Sequence, residues 1–94
     1  MHYVIYCLDN PETPNARDAH YPEHRAHLAA PTVTLLVAGP LTDASGERRI
    51  GSMLLVEAAG LEEVRLFAER DPFYVHGVWK DVQIHPFVKA TDNR

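Results

Sequence analysis

Apolar residues along this chain fall into blocks of two periods, and the blocks alternate. From His2 to Leu8 the run His-Tyr-Val-Ile-Tyr-Cys-Leu is β-branched and aromatic and stops at Asp9-Asn10-Pro11, so it predicts a first strand followed by a turn. Asn10 to Asp18, with Pro11 and Pro14, reads as a loop. Pro22 suits the first turn of a helix, and Glu23 next to it favours the positive end of the dipole, which predicts a helix from about Tyr21 to Ala30, stopped by Pro31. Thr32 to Ala38 is the second strand, ended by Gly39-Pro40, and Ile50 to Ala58 is the third. Between them, Leu41 to Arg49 is a polar connection. Leu61, Val64, Phe67 and Ala68 recur at helical spacing against Glu62, Glu63, Arg65, Glu69 and Arg70, which predicts an amphipathic second helix ended by Asp71-Pro72. Tyr74 to Phe87 supplies the last strand with a bend at Gly77, and Val88 to Arg94 is a fraying tail.

The order β-α-β-β-α-β is the split βαβ pattern of an α+β, ferredoxin-like sandwich: an antiparallel four-stranded sheet with two helices on one face. That arrangement leaves the other sheet face bare. Water on that face would call for alternation, yet Tyr3, Ile5 and Cys7 oppose Val4, Tyr6 and Leu8, and Met53 and Leu55 oppose Leu54 and Val56. Both faces are apolar, so the second needs a cover that the chain is too short to provide, and a sheet-to-sheet homodimer is the expected one. A monomer with a ligand-filled groove there is the alternative.

Length and charge narrow the classes. Ninety-four residues hold one domain with one core, 46% apolar and 23% charged residues specify a folded chain, and the net charge is −4 with no Lys/Arg stripe to track phosphates. Nucleic acid is therefore not an expected partner. No apolar run reaches membrane-spanning length and no basic segment precedes a hydrophobic one at the start, so neither membrane nor export is expected. The single cysteine, Cys7, reads as a small buried thiol, in keeping with a cytoplasmic setting.

Six histidines stand out, three of them as His20, His24 and His27. With Glu23 and Asp18 nearby they have the residue types of a metal site. No cysteine or second histidine cluster completes a familiar ligand pattern, so the expectation is a solvated helix flank with one functional histidine and no metal. Asp71 before Pro72 has the ordinary reading of a turn residue. Its apolar followers Phe73 and Val75 also allow a carboxylate at the mouth of a pocket, where a histidine on the first helix, His27, would complete a proton-transfer dyad. Arg17 and Arg25 are candidates for an anionic substrate group, Ser52 for a small pocket-lining residue, and Tyr6, Phe73 and Trp79 for an aromatic wall.

Arg25-Ala26-His27-Leu28, Ala38-Gly39-Pro40-Leu41, Gly51-Ser52-Met53, Asp71-Pro72-Phe73, Gly77 and Ile84-His85-Pro86-Phe87, in this order and spacing, resemble the YciI-like (YCII-related) proteins. The resemblance spans nearly the whole chain, residues 1–94 as a single domain, and implies a dimeric α/β barrel. It implies a catalytic pair at His27 and Asp71, and Arg17 matches another frequently basic position of the family. Together with the residue readings above, Arg17, His24, Ser52 and Phe73 are the expected substrate-binding residues. His24 stands where many members carry arginine. One branch of the family removes hydrogen chloride from a chlorinated hydroxyquinol, and fold kinship to muconolactone isomerase and cofactor-less monooxygenases points to proton shuffling on small cyclic or aromatic compounds. The resulting expectation is a cofactor-free enzyme, a lyase or isomerase, acting by general acid/base chemistry on a small molecule. A non-catalytic small-molecule-binding dimer is the second reading, and a His-cluster metal protein the third.

Overall fold

A computed structural model describes all residues, 1–94. The strands are β1 (His2–Asp9), β2 (Thr34–Thr42), β3 (Arg49–Glu57) and β4 (Trp79–Phe87); the helices are α1 (Ala16–Ala29), α2 (Leu61–Glu69) and the short α3 (Pro72–Val75). The strands pair antiparallel in the order β2-β3-β1-β4, giving the expected ferredoxin-like α+β fold with one helix more than anticipated. No helix is long and apolar enough to cross a membrane.

The helix-covered face of the sheet carries the core. Tyr3, Ile5 and Cys7 of β1 and Leu54 and Val56 of β3 are buried against Val64, Phe67 and Ala68 of α2, the residues whose helical spacing predicted that element. Gly51 sits where β3 crosses close to β1: a Cβ there would run into the carbonyl of Cys7, so only glycine keeps the two strands in register.

Three boundaries differ from expectation. First, α1 begins at Ala16, so Pro22 lies inside the helix rather than in its first turn. An interior proline forfeits a backbone bond and costs about 3 kcal/mol or more. The extra turn persists because Arg17 within it is anchored by four hydrogen bonds. Second, β2 continues through Gly39-Pro40 to Thr42. It is an edge strand, and a missing N–H on an edge need not break a ladder. Third, the last strand begins at Trp79, because Asp71 starts a further helix: its carboxylate caps the Phe73 N–H at 2.9 Å and Pro72 occupies the first helical position. Gly77, at φ +68°, then turns the chain into β4.

Candidate active site

The site is assembled from one stripe of α1 and the turn that opens α3. Arg17, Tyr21, His24 and Leu28 follow the i, i+4, i+7, i+11 spacing of a single helix face, and all four line a cavity of about 160 Å³. A stripe facing inward is ordinarily apolar, and here Arg17 and His24 are its two buried members. That inversion marks the stripe as a candidate site, and it is present in the sequence.

His24 is 7% and Asp71 1% exposed, and the imidazole Nδ1 lies 2.8 and 2.9 Å from the two carboxylate oxygens. Since a carboxylate accepts, Nδ1–H donates, which fixes the tautomer and leaves Nε2 as the nitrogen with a free lone pair. Nε2 bonds to no protein atom and is not sealed from the cavity that His24 lines. Phe73 stacks on the imidazole at 3.9 Å with 3° between planes, and Trp79 meets it edge-on at 5.9 Å. The ring is held by a hydrogen bond on one edge and by aromatic packing on its face.

The expected partner of Asp71, His27, is elsewhere. Its Nε2 donates to the carbonyl of Phe67 at 2.9 Å while the ring stacks on that phenyl at 4.6 Å. The chain leaves α2 at Arg70 and the Asp71 N–H bonds to Ala68 instead, so His27 satisfies a helix-terminal carbonyl, a structural task. The histidine that meets Asp71 is His24, three residues earlier.

Arg17 is 8% exposed and holds the other end of the cavity. Nε and Nη2 grip the Asp9 carboxylate at 2.7 and 2.9 Å, and Nη2 also donates to the Gly51 carbonyl at 2.7 Å and to Ser52 Oγ at 2.9 Å. Its guanidinium lies 4.9 Å from the Phe73 ring centroid. Ser52 Oγ receives a second bond from Trp79 Nε1 at 3.2 Å. With two donors on the hydroxyl oxygen, its own proton is the one bonding capacity left, and Ser52 lines the cavity. Phe73, expected to touch substrate, is fully buried behind His24 and acts as its platform.

Charge at the cavity is one-sided. Arg25 and Arg49 line it without a carboxylate partner, and no Asp or Glu is among its lining residues. Asp9 and Arg49 carried no distinguishing sequence signal. Beyond Arg17 a wider, open depression of about 560 Å³ mixes Asp9, Asp18 and Glu47 with Arg48 and Arg49 and contains neither His24 nor Asp71. Cys7 is no nucleophile: burial above all, then the carboxylates of Asp71 and Asp9, push its thiol up to about 12.

Residues 1–88 match the family model described as the YCII-related domain. Protein YciI of Escherichia coli O6:H1 is 32% identical over 97 residues, covering 96% of this chain and 99% of that one. An uncharacterized protein of Haemophilus influenzae has the same identity and coverage. Among solved structures, 5-chloro-2-hydroxyhydroquinone dehydrochlorinase (TftG) from Burkholderia phenoliruptrix AC1100, in complex with 2,5-dihydroxybenzoquinone, superposes with a TM-score of 0.85 at 29% identity over 94% of each chain.

Proposed function

From the premise that this chain belongs to the YCII-related family, we propose that it is a cofactor-free enzyme performing general acid/base chemistry on a small, single-ring, anionic compound. One observation carries the reading: His24 is locked by both oxygens of a buried carboxylate while its second nitrogen stays free at a cavity. Asp71 orients the imidazole and stabilises its protonated form, and Nε2 takes a proton from the substrate. In an elimination the leaving group then departs with the bonding electrons. In an isomerisation His24 returns the proton at a different atom. The cavity, about 160 Å³, is close to the roughly 150 Å³ that suffices for a benzene ring. Arg25 and Arg49 supply positive charge without internal partners, and the Ser52 hydroxyl supplies a donor, which suits an enolate, phenolate or carboxylate. The relative TftG, a dehydrochlorinase solved with a dihydroxybenzoquinone, is in keeping with such a substrate.

The test is a titration with 2,5-dihydroxybenzoquinone, followed through the His24 ring signals by NMR, together with an assay for chloride release from 5-chloro-2-hydroxyhydroquinone. The expected result is saturable perturbation of His24 that Arg25→Ala or Arg49→Ala weakens. If neither this quinone nor a panel of single-ring anions perturbs His24, the reading fails. Binding without turnover of any panel member favours the second reading, a small-molecule-binding protein.

A further inference from the structure

A second histidine cluster lies one helical turn from the dyad and takes no part in it. His20 and Glu23, three residues apart on α1, meet His76, which follows α3 and precedes the Gly77 turn. The His20 and His76 rings are parallel, 3.9 Å apart with 5° between planes. The Glu23 carboxylate spans both: Oε1 is 3.8 Å from His20 Nδ1 and Oε2 is 3.4 Å from His76 Nε2.

His20 Nδ1 is the one buried side-chain nitrogen or oxygen in the chain that lacks a hydrogen-bond partner. Buried polar groups are almost always satisfied, so an orphan nitrogen beside a carboxylate, on a ring stacked against a second imidazole, calls for a ligand. A proton does not answer: the 3.8 Å gap to Glu23 is too long for a hydrogen bond. A cation can take all three donors at once.

We propose that His20 Nδ1, the Glu23 carboxylate and His76 Nε2 form a binding site for a divalent transition-metal ion of the zinc class. Two neutral imidazoles and one carboxylate are a recurrent donor set for zinc, and three protein ligands leave a fourth position for water. One ligand atom from each of the three residues lies within 4.8 Å of the other two. Ligands on a tetrahedral zinc with bonds of about 2.1 Å stand about 3.4 Å apart, and an imidazole lone pair lies in its ring plane, so closing the site needs an inward shift of the donors by up to about 1.4 Å and a swing of the His76 ring out of its parallel stack on His20. His76 and Glu23, with side chains 42% and 56% exposed, are free to make both. His20, held more firmly, is the fixed point. The site is distinct from the His20-His24-His27 set suggested by spacing, because His24 is committed to Asp71 and His27 to the Phe67 carbonyl. A bound ion ties α1 to the end of α3, the two elements that present His24 and Asp71, and so stiffens the dyad without entering its chemistry.

The test is calorimetric titration of ZnCl2 into tag-free, chelator-stripped full-length protein, with the thermal midpoint recorded with and without metal. One ion per chain and a raised midpoint are expected. His76→Gln, an exposed change that spares the fold, should weaken binding at least about tenfold and abolish the midpoint shift, because losing a direct ligand costs no less than losing a supporting residue. Glu23→Gln should do likewise, and His27→Ala should bind as the wild type does. Absence of binding by the wild type overturns the proposal. So does equal binding by His76→Gln, which would locate the ion on other surface histidines such as His2 or His85.

Discussion

At the scale of single residues, His24 and His27 are separated by what each nitrogen touches. Both lie on α1, three residues apart, and both ring systems stack on a phenylalanine, but one meets a carboxylate and the other a backbone carbonyl. His24→Ala should lower activity by a factor on the order of 10²–10⁴ with the fold intact, the usual yield of a positioned acid/base group, and Asp71→Asn should lower it too. His27→Ala should leave turnover near wild type and cost about 1 kcal/mol, one lost hydrogen bond to a helix end. Steady-state kinetics beside urea denaturation separates the two, and a reversed pattern would return the catalytic role to His27. The meeting of Asp71 with a histidine of the first helix was legible in the sequence, and which histidine was not. Asp71-Pro72-Phe73 marks the carboxylate, whereas histidines three apart share a helix flank, and only the rotation of α1 decides which one faces inward. The stripe Arg17, Tyr21, His24, Leu28 carries that rotation once α1 is known to begin at Ala16. Cys7 adds a pH prediction. Its folded value of about 12 lies above the ordinary 9.0, so its share of stability is intact below 9.0 and is lost as pH rises from there towards 12. Native protein at pH 8 should resist thiol reagents that label it in urea, and rapid native labelling would contradict the burial.

At the scale of elements, the same arginine that borders the cavity sets where α1 starts. The proline rule places the helix start near Tyr21, and that rule was outweighed by contacts between residues 8 to 35 positions apart, which no local pattern contains. The strand cores and α2 were legible because their burial follows simple periods, β2 overran its proline because only the sheet order makes it an edge, and α3 escaped notice because four residues have no period. Arg17→Met should remove the anchor and leave the Asp9 carboxylate unpaired. For a largely buried pair this costs about 3 kcal/mol, read as a lower urea midpoint with the slope unchanged. A loss under about 1 kcal/mol would mean that α1 is held by its packing alone. Gly51→Ala tests the strand crossing beneath the same arginine. The added methyl meets the Cys7 carbonyl, so β3 must shift, and about 1–3 kcal/mol of overpacking cost should appear as a lower thermal midpoint.

At the scale of the whole molecule, the bare face of the sheet asks for a partner. Strand register puts Val37, Leu55 and Val4 in one row across that face and Gly39, Met53 and Tyr6 in the next, with His85 and Gln83 of β4 closing the rows as a polar margin. Val37 and Tyr6 are 39% and 37% exposed in the single chain. An apolar centre with a polar margin has the anatomy of an interface, and the two-fold pairing of identical sheets is the simplest closed way to cover it. We expect a homodimer burying about 1,200–2,000 Å² in total, with a light-scattering mass twice the 10.6 kDa of the chain at micromolar concentration. Leu55→Arg places a charge at the centre of the first row, between Val37 and Val4, where a covering copy would bury it unpaired, and should yield monomers. The cavity opens on the opposite, helix-covered side, walled by α1 and by Ala38, Gly39 and Pro40 of β2, so the monomer should keep the contact between His24 and Asp71. Its His24 ring signals should then resemble those of the wild type even as the mass halves. A wild-type chain that scatters as a monomer, or a Leu55→Arg variant that stays dimeric, would move the partner off this face.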